Sequence, residues 1–140
     1  MWDILRETKI MVTSNLLYYD KNKMNVIKSI DRYEENKAFS KLETMTMPQI
    51  KTRVFEAALN KTLLLIRKDE WNVIEHWFEP DKDFLYYTDE TLENKINEIS
   101  TNWNNYTDIV NNAYKKAINN YTTQQVMSEI ERDIDAFCKK

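Results

Sequence analysis

The chain has no glycine among its 140 residues, where about ten would be ordinary at this length. Glycine takes left-handed backbone angles at no steric cost, so every tight turn here falls to another residue. Asn and Asp tolerate that region best after glycine, and the chain carries fifteen asparagines. An AT-rich genome yields the same surplus of Asn, Lys and Ile. The missing glycines also rule out the Gly-rich loops that cradle phosphates. Any anion site must use side chains or the bare N-terminus of a helix.

The length fits one domain, residues 1–140, large enough to bury roughly two-thirds of its unfolded surface. Apolar residues make up 42% and aromatics 12%, which excludes a disordered chain. Twenty basic residues stand against 23 acidic ones, for a net charge of −3. No block of like charges occurs, and nucleic acid is therefore not the expected partner. The lone Cys138 forbids an internal disulfide and suits a reducing compartment, so a cytoplasmic location is expected. No apolar run is long enough for a membrane span or a signal peptide.

Apolar patterning gives the organisation. A short amphipathic piece, Trp2 to Thr8, leads into Lys9 to Ser14, whose β-branched, apolar centre predicts a buried strand. Met24, Ile27, Ile30 and Tyr33 recur at helical spacing and predict a helix over about 24–42. Pro48 is expected in the first turn of a helix running to Leu59, since proline there loses no needed hydrogen bond. Asn60 is expected to take the left-handed residue after that helix. Lys61 to Ile66 is short and apolar throughout, the pattern of a strand buried on both faces.

A further helix is predicted from Asp69 to Phe78, a turn at Glu79–Asp83, and a third strand at Phe84 to Tyr87. The rest reads as helical. Asp89 is expected to cap a helix carrying Leu92, Ile96 and Ile99. Trp103 to Ala117 mark another, and Thr122 with Gln125 forms a capping box for the last. Strands alternating with helices imply an α/β fold. It should have a small parallel sheet (residues 9–14, 62–67 and 84–87) flanked by helices, and a helical C-terminal third.

On the helix after Pro48, one side carries Ile50, Val54 and Ala58 and the other Gln49, Thr52, Arg53, Glu56 and Asn60. One reading is a solvated face with an Arg53–Glu56 ion pair, worth at most about 1 kcal/mol. The other gives Glu56 two hydroxyl hydrogen bonds from a sugar, at the sheet edge where α/β proteins bind ligands. His76 has no second His or Cys nearby and cannot begin a zinc site. Asp81 and Asp83 read as turn chemistry, since no calcium loop is completed around them. The Trp and Tyr residues over 103–121 read as helical core, because no basic groove accompanies them. No metal or cofactor is expected, and the Asn60, Asn105 and Asn120 glycosylation sequons read as chance.

The stretch Pro48-Gln-Ile-Lys-Thr-Arg-Val-Phe-Glu-Ala-Ala-Leu-Asn-Lys-Thr-Leu-Leu-Leu-Ile66 resembles the "Q-x-K-x-R-V-F-E-A … L-L" segment of CgeB-like (group 1) glycosyltransferases. The blocks Leu5 to Asn15, Ile74 to Leu92 and Ala113 to Thr122 resemble the flanking parts of that family in order, leaving out about 18–45. The resemblance implies a partial Rossmann-like domain, the C-terminal half of a GT-B transferase. It implies that Glu56 binds ribose or sugar hydroxyls of a nucleotide-sugar donor. The helix start near Pro48 would face the diphosphate, with Gln49 beside it and Arg53 and then Lys51 supplying charge. Two departures stand out: Pro48 replaces a second glutamate, and Asn60 replaces a glycine.

The chain matches only the donor-binding half of such enzymes, so the expected function is the nucleotide-sugar-binding part of a glycosyltransferase, catalytic only within a larger protein or complex. The alternative is a non-catalytic interaction module on the same fold. Either a homodimer or a separate N-terminal half is expected as partner, because the strand at Lys9–Ser14 would otherwise leave an apolar edge unpaired.

Overall fold

The structure, a computed structural model, describes residues 7–20 and 44–138. The apolar run after Thr62 forms the central strand of a three-stranded sheet. This sheet consists of β1 (Ile10–Thr13), β4 (Leu63–Arg67) and β5 (Leu85–Tyr87), in the order β1-β4-β5. All pairings are parallel, with Ile10 opposite Leu63 and Leu65 opposite Leu85. Leu63, Leu64, Leu65 and Ile66 are all buried. Leu64 and Ile66 pack on one face of the sheet, Leu63 and Leu65 on the other. Each such side chain contributes roughly 1.5–3 kcal/mol by leaving water.

Helices cover both faces. Helix α1 (Thr52–Leu59) buries Val54, Ala57 and Ala58 against Leu64 and Ile66. Helix α2 (Leu92–Thr101) supplies Ile99 to the opposite face. Helix α3 (Thr107–Asn120), entered through a 3₁₀ turn at Trp103–Tyr106, serves both: Val110 joins the α2 side, Ala113 and Ala117 the α1 side. Helix α4 (Thr123–Cys138) completes the helical C-terminal part. The parallel sheet, its flanking helices and this tail are the architecture of a partial Rossmann-like half, as the sequence predicts. The predicted helix over 24–42 lies outside the described residues, as does most of the Trp2–Thr8 piece.

Four local expectations need correction. Pro48 does not start a helix. It ends β3 (Thr44–Pro48), which pairs antiparallel with β2 (Leu16–Asp20) in a separate two-stranded sheet, Pro48 opposite Leu16. Proline has no N–H for a ladder and suits such a strand end. The helix begins at Thr52. Residues 69–78 hold only a 3₁₀ turn, Val73–His76. The Asp69 carboxylate accepts hydrogen bonds from the N–H groups of Trp71 and Asn72, and this local turn displaces the first helical bonds.

Thr91, not Asp89, stands at the N-cap position of α2; its hydroxyl makes no bond to the first turn and accepts from the preceding Thr88 N–H at 2.8 Å, while Asp89 pairs with Arg67. The left-handed residue after α1 is Lys61 (φ 56), one place beyond Asn60. There Thr62 N–H donates to the Ala57 carbonyl and Lys61 N–H to that of Ala58, a Schellman ending usually built on glycine. The other two left-handed residues among those described, Asn72 and Asp81, are of the types expected. The Lys61 ammonium lies 4.8 Å from the Tyr114 ring, a contact that offsets part of the cost.

Candidate functional site

Helix α1 starts without a cap. Lys51 precedes it in an extended conformation, no side chain accepts a bond from its first turn, and that turn has no acidic residue. Val54 N–H bonds the Lys51 carbonyl at 3.0 Å, which leaves the Thr52 and Arg53 N–H groups and the positive end of the helix dipole to meet an anion. The position follows from the fold. Leu63 N–H bonds the Lys9 carbonyl at the sheet's entry, and Gln49 N–H bonds the Asn15 carbonyl, just past the end of β1, at 2.7 Å. Helix α1 thus runs against the strands, with its N-terminus at the carboxyl edge of the sheet, where parallel α/β folds bind ligands.

Gln49, Ile50, Lys51, Thr52 and Arg53 line an open depression of about 390 Å³ at this edge. Gln49 and Arg53 are exposed and Lys51 half-buried. Glu56, half-buried, stands one turn further along α1 and is not among the lining residues. Among the described residues no ion pair joins Arg53 to Glu56, contrary to the surface-pair reading. The structure brings Gln49, Lys51 and Arg53 to one concavity and leaves Glu56 on the same helix beside it.

Sequence reasoning missed the neighbouring strand ends. Arg67, the last residue of β4, pairs with Asp89 beyond β5. Lys68 lies 5.7 Å from the Tyr86 ring, and the Tyr86 hydroxyl donates to Glu75 at 2.8 Å. Burial first, then the Glu75 carboxylate, raises the Tyr86 pKa well above the ordinary tyrosine range. Tyr86 is thus a fixed neutral donor. The signal available was position: each of these residues sits at or beyond the carboxyl end of a predicted strand, or contacts one that does.

Asn15 is the other residue missed. It is fully buried, yet among the described residues neither its Oδ1 nor its Nδ2 has a hydrogen-bond partner. Each unmatched atom costs about 1–3 kcal/mol. Asn15 lies between β1 and β2, and its carbonyl accepts the Gln49 N–H on the approach to α1.

The remaining candidates have structural roles. His76 is exposed and meets Trp77 edge-to-face at 5.7 Å. Asp83 is buried, accepting from Glu79 N–H and from the Lys116 ammonium at 2.8 Å, and Asp81 takes the left-handed turn position. Trp103 and Tyr106 pack on the α2 side of the core and Tyr121 on the α1 side. Among the described residues no group of three or more His, Cys, Asp or Glu could hold a metal ion. None of their helices is long and apolar enough to cross a membrane.

No curated protein and no solved structure matches the chain. One family model does, described as glycosyl transferase-like, and it spans residues 2–132. That match takes in the sheet, α1 with its uncapped start, and most of the helical tail, so the chain belongs to this glycosyl transferase-like family.

Proposed function

We propose that the chain forms the donor-binding wall of a sugar transferase and takes a nucleotide sugar at the start of α1. The observation that carries this reading is the uncapped α1 N-terminus at the sheet's carboxyl edge, with Arg53 and Lys51 beside it. Open N–H groups, a helix dipole and two cations suit a diphosphate. Gln49 adds an amide at the rim, and the Glu56 carboxylate accepts hydroxyl hydrogen bonds from the ribose or sugar. The CgeB-like pattern around Glu56 supports the same assignment. The donor needs no metal at this site, since its charge meets cations of the chain.

Saturation-transfer NMR with UDP- and GDP-sugars tests the proposal. A signal from the nucleotide sugar is expected at millimolar ligand. Loss of Glu56 removes charge-assisted hydrogen bonds worth about 1.5–3 kcal/mol, so Glu56→Ala should bind roughly ten- to a hundredfold more weakly. No signal from the native chain, or an equal signal from Glu56→Ala, overturns the reading.

Transfer also requires an acceptor and a base held against the donor. We place these on another half or a second copy. β1 is an edge strand among the described residues, with Val12 40% exposed, and such an apolar edge favours strand addition from a second copy. Light scattering should then give about twice the monomer mass, and a clean monomer at high concentration rejects the pairing. A non-catalytic interaction module is the second reading, favoured by the apolar stripe that α4 exposes at Val126, Ile130, Ile134 and Phe137. It predicts no nucleotide-sugar signal at all.

A further inference from the structure

We infer that the Asn15 carboxamide is a ligand-contacting group of this site and bonds a hydroxyl of the donor. The inference rests on the donor-site reading above and adds a residue to it. Three observations converge on Asn15. Its side chain is 0% exposed, and neither polar atom has a partner among the described residues. Its carbonyl accepts the Gln49 N–H, at the first residue of the depression that leads into α1. It stands between the end of β1 and the start of β2, and Leu16 of β2 pairs with Pro48, the residue just before the depression.

The chemistry of the amide selects the ligand group. Oδ1 only accepts and Nδ2 only donates, and because both are unmatched, exchanging them by rotation changes nothing. Phosphate oxygens offer acceptors alone and would leave Oδ1 unsatisfied. A hydroxyl both donates and accepts, and ribose or hexose presents two on adjacent carbons. Phosphate is left to the N–H groups of α1 with Arg53 and Lys51. Since the amide is buried and is not among the residues lining the depression, a hydroxyl reaches it only when its cover moves outward. Donor binding and that displacement are then one event.

The test uses the full chain, thermal melts, and three probes: inorganic pyrophosphate, UDP and UDP-glucose. Leucine has nearly the shape of asparagine, and an apolar group there removes the unmatched donor and acceptor. Asn15→Leu should melt at or above the native temperature without ligand. It should keep the native upward shift with pyrophosphate and lose the additional shift given by UDP or by UDP-glucose. Loss already with UDP assigns the contact to ribose, and loss only of the UDP-glucose increment assigns it to the hexose. If UDP-glucose shifts the variant as much as the native chain, the inference fails and the donor site stands. If UDP-glucose shifts neither protein, both fail. A measurement without any variant guards against misfolding: the Asn15 Nδ2H₂ resonances of the native chain should move with UDP-glucose and not with pyrophosphate. Unmoved resonances in a chain that binds UDP-glucose overturn the inference.

Discussion

Helices α3 and α4 follow one another, are of similar length (14 and 16 residues), and both carry an apolar stripe. Their fates differ. Helix α3 buries Val110, Ala113 and Ala117, whereas every residue from Thr123 to Phe137 is exposed, Phe137 at 81%. The size of the side chains marks the difference. Ala113 and Ala117 of α3 join Ala57 and Ala58 of α1 in one core cluster, all essentially without exposure, and small residues allow two helices to approach closely. Helix α4 presents Val, Met, Ile and Phe to water. Periodicity tells which face of a helix is apolar; it does not tell what covers that face.

The sharpest way to break the comparison is to put one carboxylate on each stripe. Ala117→Asp buries an unpaired charge between α3 and α1 and should cost more than about 3 kcal/mol in a urea melt. Ile130→Asp on α4 should cost less than about 1 kcal/mol. Equal losses would mean that the α4 stripe is covered in solution.

A smaller effect is expected where α3 is tied to the turn before β5. Asp83→Ala frees the Lys116 ammonium and leaves the Glu79 N–H without its acceptor, at a cost of about 1–3 kcal/mol. Glu129→Ala, which removes an exposed pair with Arg132 on α4, should change stability by less than about 0.5 kcal/mol. A comparable loss in both variants would erase the distinction.

The smallest effect is at Lys61, where α1 ends against Tyr114 of α3. Lys61→Gly relieves the left-handed backbone but gives up the ring contact, for a net gain below about 1 kcal/mol. A drop in melting temperature would show that the Lys61–Tyr114 contact outweighs the backbone strain.

The three parallel strands were legible because Leu63–Ile66 is apolar without alternation and because the flanking helices carry their own period. The β2–β3 pair was not read, although Thr44-Met-Thr-Met47 alternates as a half-exposed strand does. Its partner lies more than twenty residues away, and Pro48 suggested a helix start. The helix expected at 69–78 failed because one carboxylate, Asp69, captured two backbone donors. The polar face of α1 was visible as a stripe. The burial of Asn15 was not, because its carbonyl is bonded by Gln49, a residue far from it in sequence.

The glycine-free turns also act on the chain before it folds. Every non-glycine residue has fewer backbone conformations when unfolded, and replacing a glycine where the native angles are ordinary stabilises a protein by about 0.4–1 kcal/mol through that state alone. This chain has the benefit wherever a homologous fold would spend a glycine on an ordinary conformation. It bears the steric cost at Lys61, Asn72 and Asp81 among the described residues. The consequence is a narrower denatured ensemble: less conformational freedom is lost on folding, and among the described residues the strain is confined to three named peptide units.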